Sequence, residues 1–180
     1  MGAAAVRGAS LGPKRVTGVV RVERSYRASA ARVFDAWLDP AIAGRWLFAT
    51  ATQPMARVDI DARVDGEYCL VERRAGTLVL HTGAYVALLP PRRLAFTLSS
   101  SDRAEPDSLV TVGITPQRMG CVLALSHEGL PVGRIRELKA RWIGILYGLG
   151  VTLDAMPSAP KSLALAELPA ITGEAQCITC

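Results

Sequence analysis

The last apolar segment of the chain, residues 132–154, limits the fold more than any other feature. After Leu130-Pro131, apolar side chains recur at three- and four-residue spacings and fall within a helical stripe about 100° wide. This pattern predicts one long amphipathic helix with one face packed on another layer of structure. The stripe consists of Ile135, Leu138, Trp142, Ile145, Leu146, Leu149 and Leu153.

The preceding part of the chain predicts the layer on which this helix packs. Residues 57–128 alternate between apolar and polar with period two, and turn signals divide them into about six strands. A further strand is predicted at residues 16–27, where Val20, Val22 and Tyr26 share one parity. The short turns favour antiparallel pairing of neighbouring strands.

Two short helices are predicted between the first strand and the other six. Ser29 is the predicted N-cap of the first helix, and Asp39 followed by Pro40 predicts the start of the second. The fold class is therefore α+β: an antiparallel sheet of six to seven strands wrapped around the long C-terminal helix.

A second apolar row lies on the long helix, nearly opposite the first. Ile143, Tyr147 and Val151 are spaced by four residues, a pattern that a helix face fully in water does not need. Two segments could cover this row: the C-terminal segment of the same chain, or a second copy of the chain in a homodimer.

We predict one domain flanked by two less ordered ends. Residues 1–15 are interpreted as a disordered leader, residues 16–154 as the domain, and residues 155–180 as a loose tail. The leader lacks the apolar core of an export signal, and no uncharged apolar run reaches about 18 residues. We therefore expect a cytoplasmic protein without a membrane span.

Charge and motif content argue against several function classes. The net charge of +5 arises within residues 1–27, so the remaining body is neutral and no basic nucleic-acid-binding face is predicted. The aspartates between residues 59 and 65 lack the pattern of a calcium loop, and no HExxH motif occurs, so we expect no metal and no other cofactor. Cys177 and Cys180 have redox spacing, but without a second pair we interpret them as incidental.

Several stretches, taken in order, resemble one known family. They include RSYRASAARVFDAWLDP at 24–40, DARVDGEY at 61–68 and GCVLALSHEGLP at 120–131. The chain resembles the activators of a heat-shock-chaperone ATPase and their homologues, a family of the START-like (SRPBCC) superfamily, which also contains lipid-transfer proteins, the birch-pollen allergen and polyketide cyclases. The resemblance covers about residues 16–154 and implies the helix-grip fold.

The helix-grip fold implies a cavity between the sheet and the long helix, which is the candidate ligand site. Aromatic and leucine side chains at these spacings are also the ordinary content of a core, and both interpretations stay open. His127, at the end of a strand, is either a hydrogen-bond partner or general base at the pocket mouth, or a histidine bonded to backbone. The other predicted wall residues are Trp46, Tyr68, Tyr85, Phe96, Trp142, Leu146 and Leu149.

Three functions are consistent with this sequence. We expect a non-catalytic protein that binds a small apolar molecule of lipid or polyketide type. The alternative is an enzyme of cyclase or hydratase type that uses the same pocket, with no catalytic residue assigned. A regulator of a chaperone ATPase is the third, ranked last because only about 15 residues precede the first strand, too few for a further domain.

Overall fold

A computed structural model describes residues 17–49, 53, 55–102 and 108–156. Within them it contains seven strands and three helices, and a short 3₁₀ turn at Val132–Arg134 leads into the last helix. In chain order the elements are β1 (Thr17–Tyr26), α1 (Ala30–Asp35), α2 (Pro40–Ala43), β2 (Arg57–Ile60), β3 (Glu67–Arg74), β4 (Thr77–Leu89), β5 (Arg93–Ser100), β6 (Ser108–Gln117), β7 (Gly120–Pro131) and α3 (Ile135–Ala155).

The seven strands form one antiparallel sheet in the order β1-β7-β6-β5-β4-β3-β2. Strands that follow one another from β2 to β7 are neighbours, as the short turns predict, while β1 pairs with β7. The predicted α+β helix-grip architecture is confirmed. The predicted leader and most of the predicted tail lie outside the described residues.

The two short helices begin where the sequence places their caps. The hydroxyl oxygen of Ser29 accepts from the backbone N–H of Arg32 at 3.3 Å. One carboxylate oxygen of Asp39 accepts from the N–H groups of Ala41, at 2.8 Å, and Ile42, at 3.3 Å. Each side chain thus satisfies amides that have no partner inside the helix, and both predicted caps are confirmed.

Helix α3 lies against the sheet through its predicted apolar stripe, all of which is buried except the half-buried Ile135. The hydroxyl of Tyr26 in β1 donates to the carbonyl of Leu146 at 2.8 Å, which joins the first strand to the middle of the helix. The second row remains exposed: 48 % of Ile143, 59 % of Tyr147 and 53 % of Val151 are accessible. What covers this row stays a prediction.

Close contact between β4 and β5 at Gly83 predicts a strong effect of one methyl group. A Cβ at Gly83 would collide with the backbone carbonyl of Thr97, which also accepts the Tyr68 hydroxyl at 2.7 Å. We expect Gly83→Ala to lower the free energy of unfolding by at least about 2 kcal/mol, measured by urea denaturation.

The matched control is Gly144→Ala in α3, where an added Cβ meets nothing within 4 Å. This exposed helical position should gain about 0.5–1 kcal/mol from the reduced backbone entropy of the unfolded chain. Equal effects of the two substitutions would contradict the contact between β4 and β5.

Candidate functional site

A cavity of about 50 Å³ lies between strands β5–β7 and helix α3, where the helix-grip plan predicts it. It exceeds the space that one water molecule needs, about 10–15 Å³, and is far below the roughly 300–1,000 Å³ of ordinary ligand pockets. We call it the main cavity. It is lined by Phe48, His81, Leu98, Ser99, Ser100, Ser108, His127, Gly129, Leu130, Leu138, Arg141, Trp142 and Ile145.

The first polar group of this wall is His81 in β4, which is 1 % exposed. Its Nε2 lies 2.8 Å from Oε2 of Glu72, and its Nδ1 lies 3.2 Å from the hydroxyl of Ser100. The same Glu72 carboxylate accepts from Nε and Nη2 of Arg74, at 3.0 and 2.6 Å, and from Nη2 of Arg141 at 2.8 Å. One carboxylate thereby joins β3, β4 and α3.

The charges of this group follow from burial and from its partners. Burial lowers the pKa of His81 below 6.5, and although the hydrogen bond to Glu72 opposes this, the charge of Arg141 reinforces it. Burial would raise the pKa of Glu72, but hydrogen bonds from Arg74 and His81 and the charge of Arg141 outweigh it, and the net pKa lies below 4.5. At neutral pH a neutral imidazole therefore donates Nε2–H to an ionised carboxylate.

The Ser100 hydroxyl links this group to a second carboxylate. It lies 2.6 Å from Oδ1 of Asp102 as well as 3.2 Å from His81 Nδ1. A hydroxyl has only one proton, so Ser100 can donate to His81 or to Asp102, but not to both at once. Arg74, which donates to Asp102 at 2.7 Å, completes the connection.

The second polar group of the wall is His127 in β7, which is 3 % exposed. The indole N–H of Trp142 donates to its Nδ1 at 3.0 Å, and its Nε2 lies 2.7 Å from the hydroxyl of Ser108. Because an indole can only donate, Nδ1 accepts, and the proton of the neutral ring lies on Nε2. The Ser108 hydroxyl donates its own hydrogen bond to the carbonyl of Leu98 at 2.8 Å.

Helix α3 organises both histidines through two adjacent residues. Arg141 contacts the His81 group through Glu72, and Trp142 contacts His127 directly. Both ring nitrogens of His127 are hydrogen-bonded to protein side chains, whereas Nδ1 of His81 accepts a hydrogen bond only when Ser100 does not donate to Asp102. The ring nitrogens of His127 thus bond to the side chains of Ser108 and Trp142, and its role in ligand binding stays a prediction.

Two further spaces adjoin the main cavity. A deep cavity of about 10 Å³ lies below it, and an outer groove of about 610 Å³ runs along the solvent side of α3. The deep cavity is lined by Trp37, Leu47, Phe48, Ile60, Tyr68, Leu70, Tyr85 and Phe96. The outer groove is lined by Arg45, Trp46, Phe48, Ala49, Glu72, Arg74, Glu137, Arg141, Gly144, Ile145, Tyr147, Gly148, Val151 and Thr152.

Phe48 is the one described residue that lines all three spaces. Its ring stacks on His81 with centroids 4.0 Å apart, and the guanidinium carbon of Arg141 lies 5.2 Å from its centroid. Its backbone has φ of 60°, a left-handed conformation that is strained for an aromatic residue. Phe48 therefore contributes to the wall of all three spaces, and Arg141 and Ile145 also line both the main cavity and the outer groove.

The predicted wall residues divide among these spaces. His127 and Trp142 line the main cavity, and Tyr68, Tyr85 and Phe96 line the deep cavity. Trp46 lines the outer groove and donates its indole N–H to the carbonyl of Ala36 at 3.1 Å. Leu146 and Leu149 are completely buried in the core and line none of the three spaces.

Sequence reasoning missed Phe48, Glu72, His81 and Arg141 as wall residues. Strand parity offered a signal for two of them, since His81 shares the parity of Tyr85, and Glu72 shares that of Tyr68. Phe48 lies outside regular structure and has no such signal.

The aspartates between residues 59 and 65 lie at an exposed edge of the domain. Asp59 and Asp61 form exposed ion pairs with Arg57 and Arg63, respectively. Among the described residues no three His, Cys, Asp or Glu side chains are grouped as a metal site would require. No helix in the described part of the chain is both long and apolar enough to cross a bilayer.

The lowered pKa of His81 predicts acid sensitivity in a defined range. Below pH 6.5 this histidine is protonated in the unfolded chain but stays neutral in the folded protein. The free energy of unfolding therefore falls as pH decreases, until pH passes the folded pKa of His81. Glu72 adds a second loss as pH falls from 4.5 through its own lowered pKa. We expect His81→Gln to reduce the pH dependence of the free energy of unfolding just below pH 6.5 and to leave the loss below pH 4.5 in place. Urea unfolding between about pH 4 and 8 measures both ranges.

His127 is present in both proteins, so the difference between their two profiles isolates His81. Identical slopes below pH 6.5 in wild type and His81→Gln would contradict the depressed pKa.

Comparison with known proteins places this architecture among solved structures. Protein CV1439 from Chromobacterium violaceum is 25 % identical, with a TM-score of 0.65 over 74 % of this chain and 95 % of its own. A protein from Rhodobacter sphaeroides is 23 % identical, with a TM-score of 0.67 over 78 % of this chain and 95 % of its own. CalU16 from Micromonospora echinospora is 22 % identical, with a TM-score of 0.57 over 78 % of this chain and 88 % of its own.

No curated protein matches the sequence. The family described as "Activator of Hsp90 ATPase homolog 1-like protein" matches residues 27–154, which extend from the end of β1 to the end of α3. That range contains the sheet–helix cavity and both histidine groups. The chain therefore belongs to the activator of Hsp90 ATPase homolog 1-like family.

Proposed function

We propose that this protein binds a small, mainly apolar molecule in the main cavity between the sheet and α3. The observation that carries the proposal is the composition of that cavity's wall. Leu98, Leu130, Leu138 and Ile145 supply its apolar surface, and hydroxyls such as that of Ser100 supply a polar side. An apolar enclosure with a few placed polar groups is the usual form of a small-molecule site.

The size of the cavity defines what binding must involve. At about 50 Å³ the cavity holds a few atoms, so a larger ligand requires movement of a wall residue. Phe48 is the wall residue beyond which the deep cavity and the outer groove lie. Binding of a lipid- or polyketide-sized molecule is therefore proposed to displace Phe48, whose left-handed backbone already stores strain.

The hydrogen bonds of the wall favour binding over turnover. A general base needs a nitrogen or oxygen that can take a substrate proton. His127 accepts from Trp142 and donates to Ser108, while His81 lies between Glu72 and Ser100. Action of His127 as a base would require one of its two bonds to break, and Nδ1 of His81 could take a proton only while Ser100 donates to Asp102. We rank a cyclase or hydratase role second for that reason.

Substitutions at Leu138 test the proposed site. Leu138 is buried and lines the main cavity, so Leu138→Ala enlarges this space and Leu138→Phe fills it. With N-phenyl-1-naphthylamine as a neutral fluorescent probe, we expect affinity to rise severalfold in the first variant and to be lost in the second.

The control variants are Leu80→Ala and Leu80→Phe, because Leu80 is 39 % exposed in β4 and lines none of the three spaces. They should leave probe fluorescence unchanged. Equal probe binding by both Leu138 variants would show that the probe binds elsewhere. Native mass spectrometry of the freshly purified protein would then detect any ligand retained at another place.

A further inference from the structure

The three tryptophans of the chain differ in one respect that packing does not explain. All are buried, with 1–2 % of their surface exposed. Trp46 donates its indole N–H to Ala36, and Trp142 donates to His127. The fully buried Nε1–H of Trp37 has no acceptor in the described part of the chain. A buried donor without a partner is rare enough to require a specific cause.

The cavity beside Trp37 is lined by a second residue with a neutral donor group, Tyr85. Tyr85 is 4 % exposed, and burial raises the pKa of its hydroxyl well above the ordinary value of 10.0. Its neighbour Tyr68 donates to the carbonyl of Thr97 at 2.7 Å, and the centroids of the Tyr68 and Tyr85 rings lie 5.7 Å apart. Trp37 and Tyr85 both line the deep cavity. Two residues with neutral donor groups therefore line one small space, and the donor of Trp37 has no acceptor among the described residues.

We propose that the deep cavity is a subsite for a hydrogen-bond-accepting oxygen of the ligand, namely a ketone or similar neutral carbonyl, which accepts from Trp37 and Tyr85. The proposal rests on the ligand-binding function proposed above and defines its ligand class. The deep cavity has room for about one small group, and only Phe48 is common to its wall and that of the main cavity. The carbonyl reaches the subsite when the Phe48 ring moves.

The residues that line the deep cavity favour a neutral hydrogen-bond acceptor over an ion. No charged side chain is among the described residues that line the deep cavity, and most of the wall is aromatic or aliphatic. A carboxylate placed there would lose its hydration without gaining a counterion. An indole N–H can only donate, so a ligand group that is solely a donor leaves Trp37 unpaired.

The test compares two probes of nearly equal shape, 2-acetylnaphthalene and 2-ethylnaphthalene, which differ by the carbonyl oxygen. Isothermal titration calorimetry gives the dissociation constant of each. We expect wild type to prefer the ketone, and Trp37→Phe to reduce that preference by about five- to tenfold while the affinity for the hydrocarbon stays the same. Tyr85→Phe should reduce the same preference. Trp37→Phe removes a donor that has no acceptor among the described residues, so the variant loses no hydrogen bond within the protein. Its melting temperature should therefore not fall for that reason.

The matched control is Trp46→Phe, whose indole N–H already has a protein acceptor. This variant should lose thermal stability and keep the wild-type ratio of ketone to hydrocarbon affinity. If Trp37→Phe keeps the wild-type ratio as well, the subsite is overturned although ligand binding stands. If neither probe binds wild type, Phe48→Leu or the Leu138 variants, both the subsite and the proposed function are overturned.

Phe48 variants test the route between the two cavities. Phe48→Ala, or the milder Phe48→Leu, should raise affinity for the ketone more than for the hydrocarbon, because it removes the ring that separates the main cavity from Trp37. Leu98→Ala enlarges the main cavity alone and should raise both affinities by the same factor. An unchanged affinity ratio in both Phe48 variants would refute this route.

Discussion

Burial of the apolar stripe of α3 against the sheet determines where the polar groups of the site lie. Burying each large side chain contributes about 1.5–3 kcal/mol at most, so the stripe outweighs any single hydrogen bond in the domain. Because the stripe fixes the rotation of the helix, Trp142 faces His127, and its neighbour Arg141, about 100° further round, reaches Glu72. A rotation of α3 by one residue would remove both contacts at once.

Periodicity was sufficient to predict the layers because burial is repeated along each element. The period-two runs became six strands, and the one-sided stripe became α3, since a slipped register would expose a whole row of apolar side chains. The helix caps were predictable because Ser29 and Asp39 act on amides two or three residues away. The prediction of a cavity between the sheet and the long helix came from the resemblance to a family, not from any periodic pattern.

The polar wall of the cavity could not be predicted in the same way. Glu72 and Arg141 are 69 positions apart, and their contact depends on how α3 crosses the sheet. Strand parity indicates that the His81 side chain points inward, but it does not predict that the Glu72 carboxylate lies beside it. The lack of an acceptor for the N–H of Trp37 is visible only once every neighbour is in place. The left-handed backbone of Phe48 has no sequence signal, since glycine is the residue expected there.

The two polar regions on either side of Phe48 have opposite energetic character. Both ring nitrogens of His127 and Nε2 of His81 are hydrogen-bonded to protein side chains, which hold the rings in place. A satisfied network of this kind is rigid and has little to gain from a ligand. In the deep cavity the unpaired N–H of Trp37 costs the folded protein about 1–3 kcal/mol, a considerable part of the 5–15 kcal/mol that stabilises a typical domain. A ligand oxygen recovers that cost only where the protein supplies no acceptor of its own.

Phe48 separates these two regions through interactions that nearly balance. Stacking on an aromatic ring and contact with a guanidinium each stabilise its position by roughly 0.5–1.5 kcal/mol. Its left-handed backbone costs about 1–3 kcal/mol. Since the cost and the gain are of similar size, moving the ring out of the wall is opposed mainly by the loss of its burial. A ligand that refills the vacated volume with apolar atoms replaces that burial, and its carbonyl adds the hydrogen bond that Trp37 lacks.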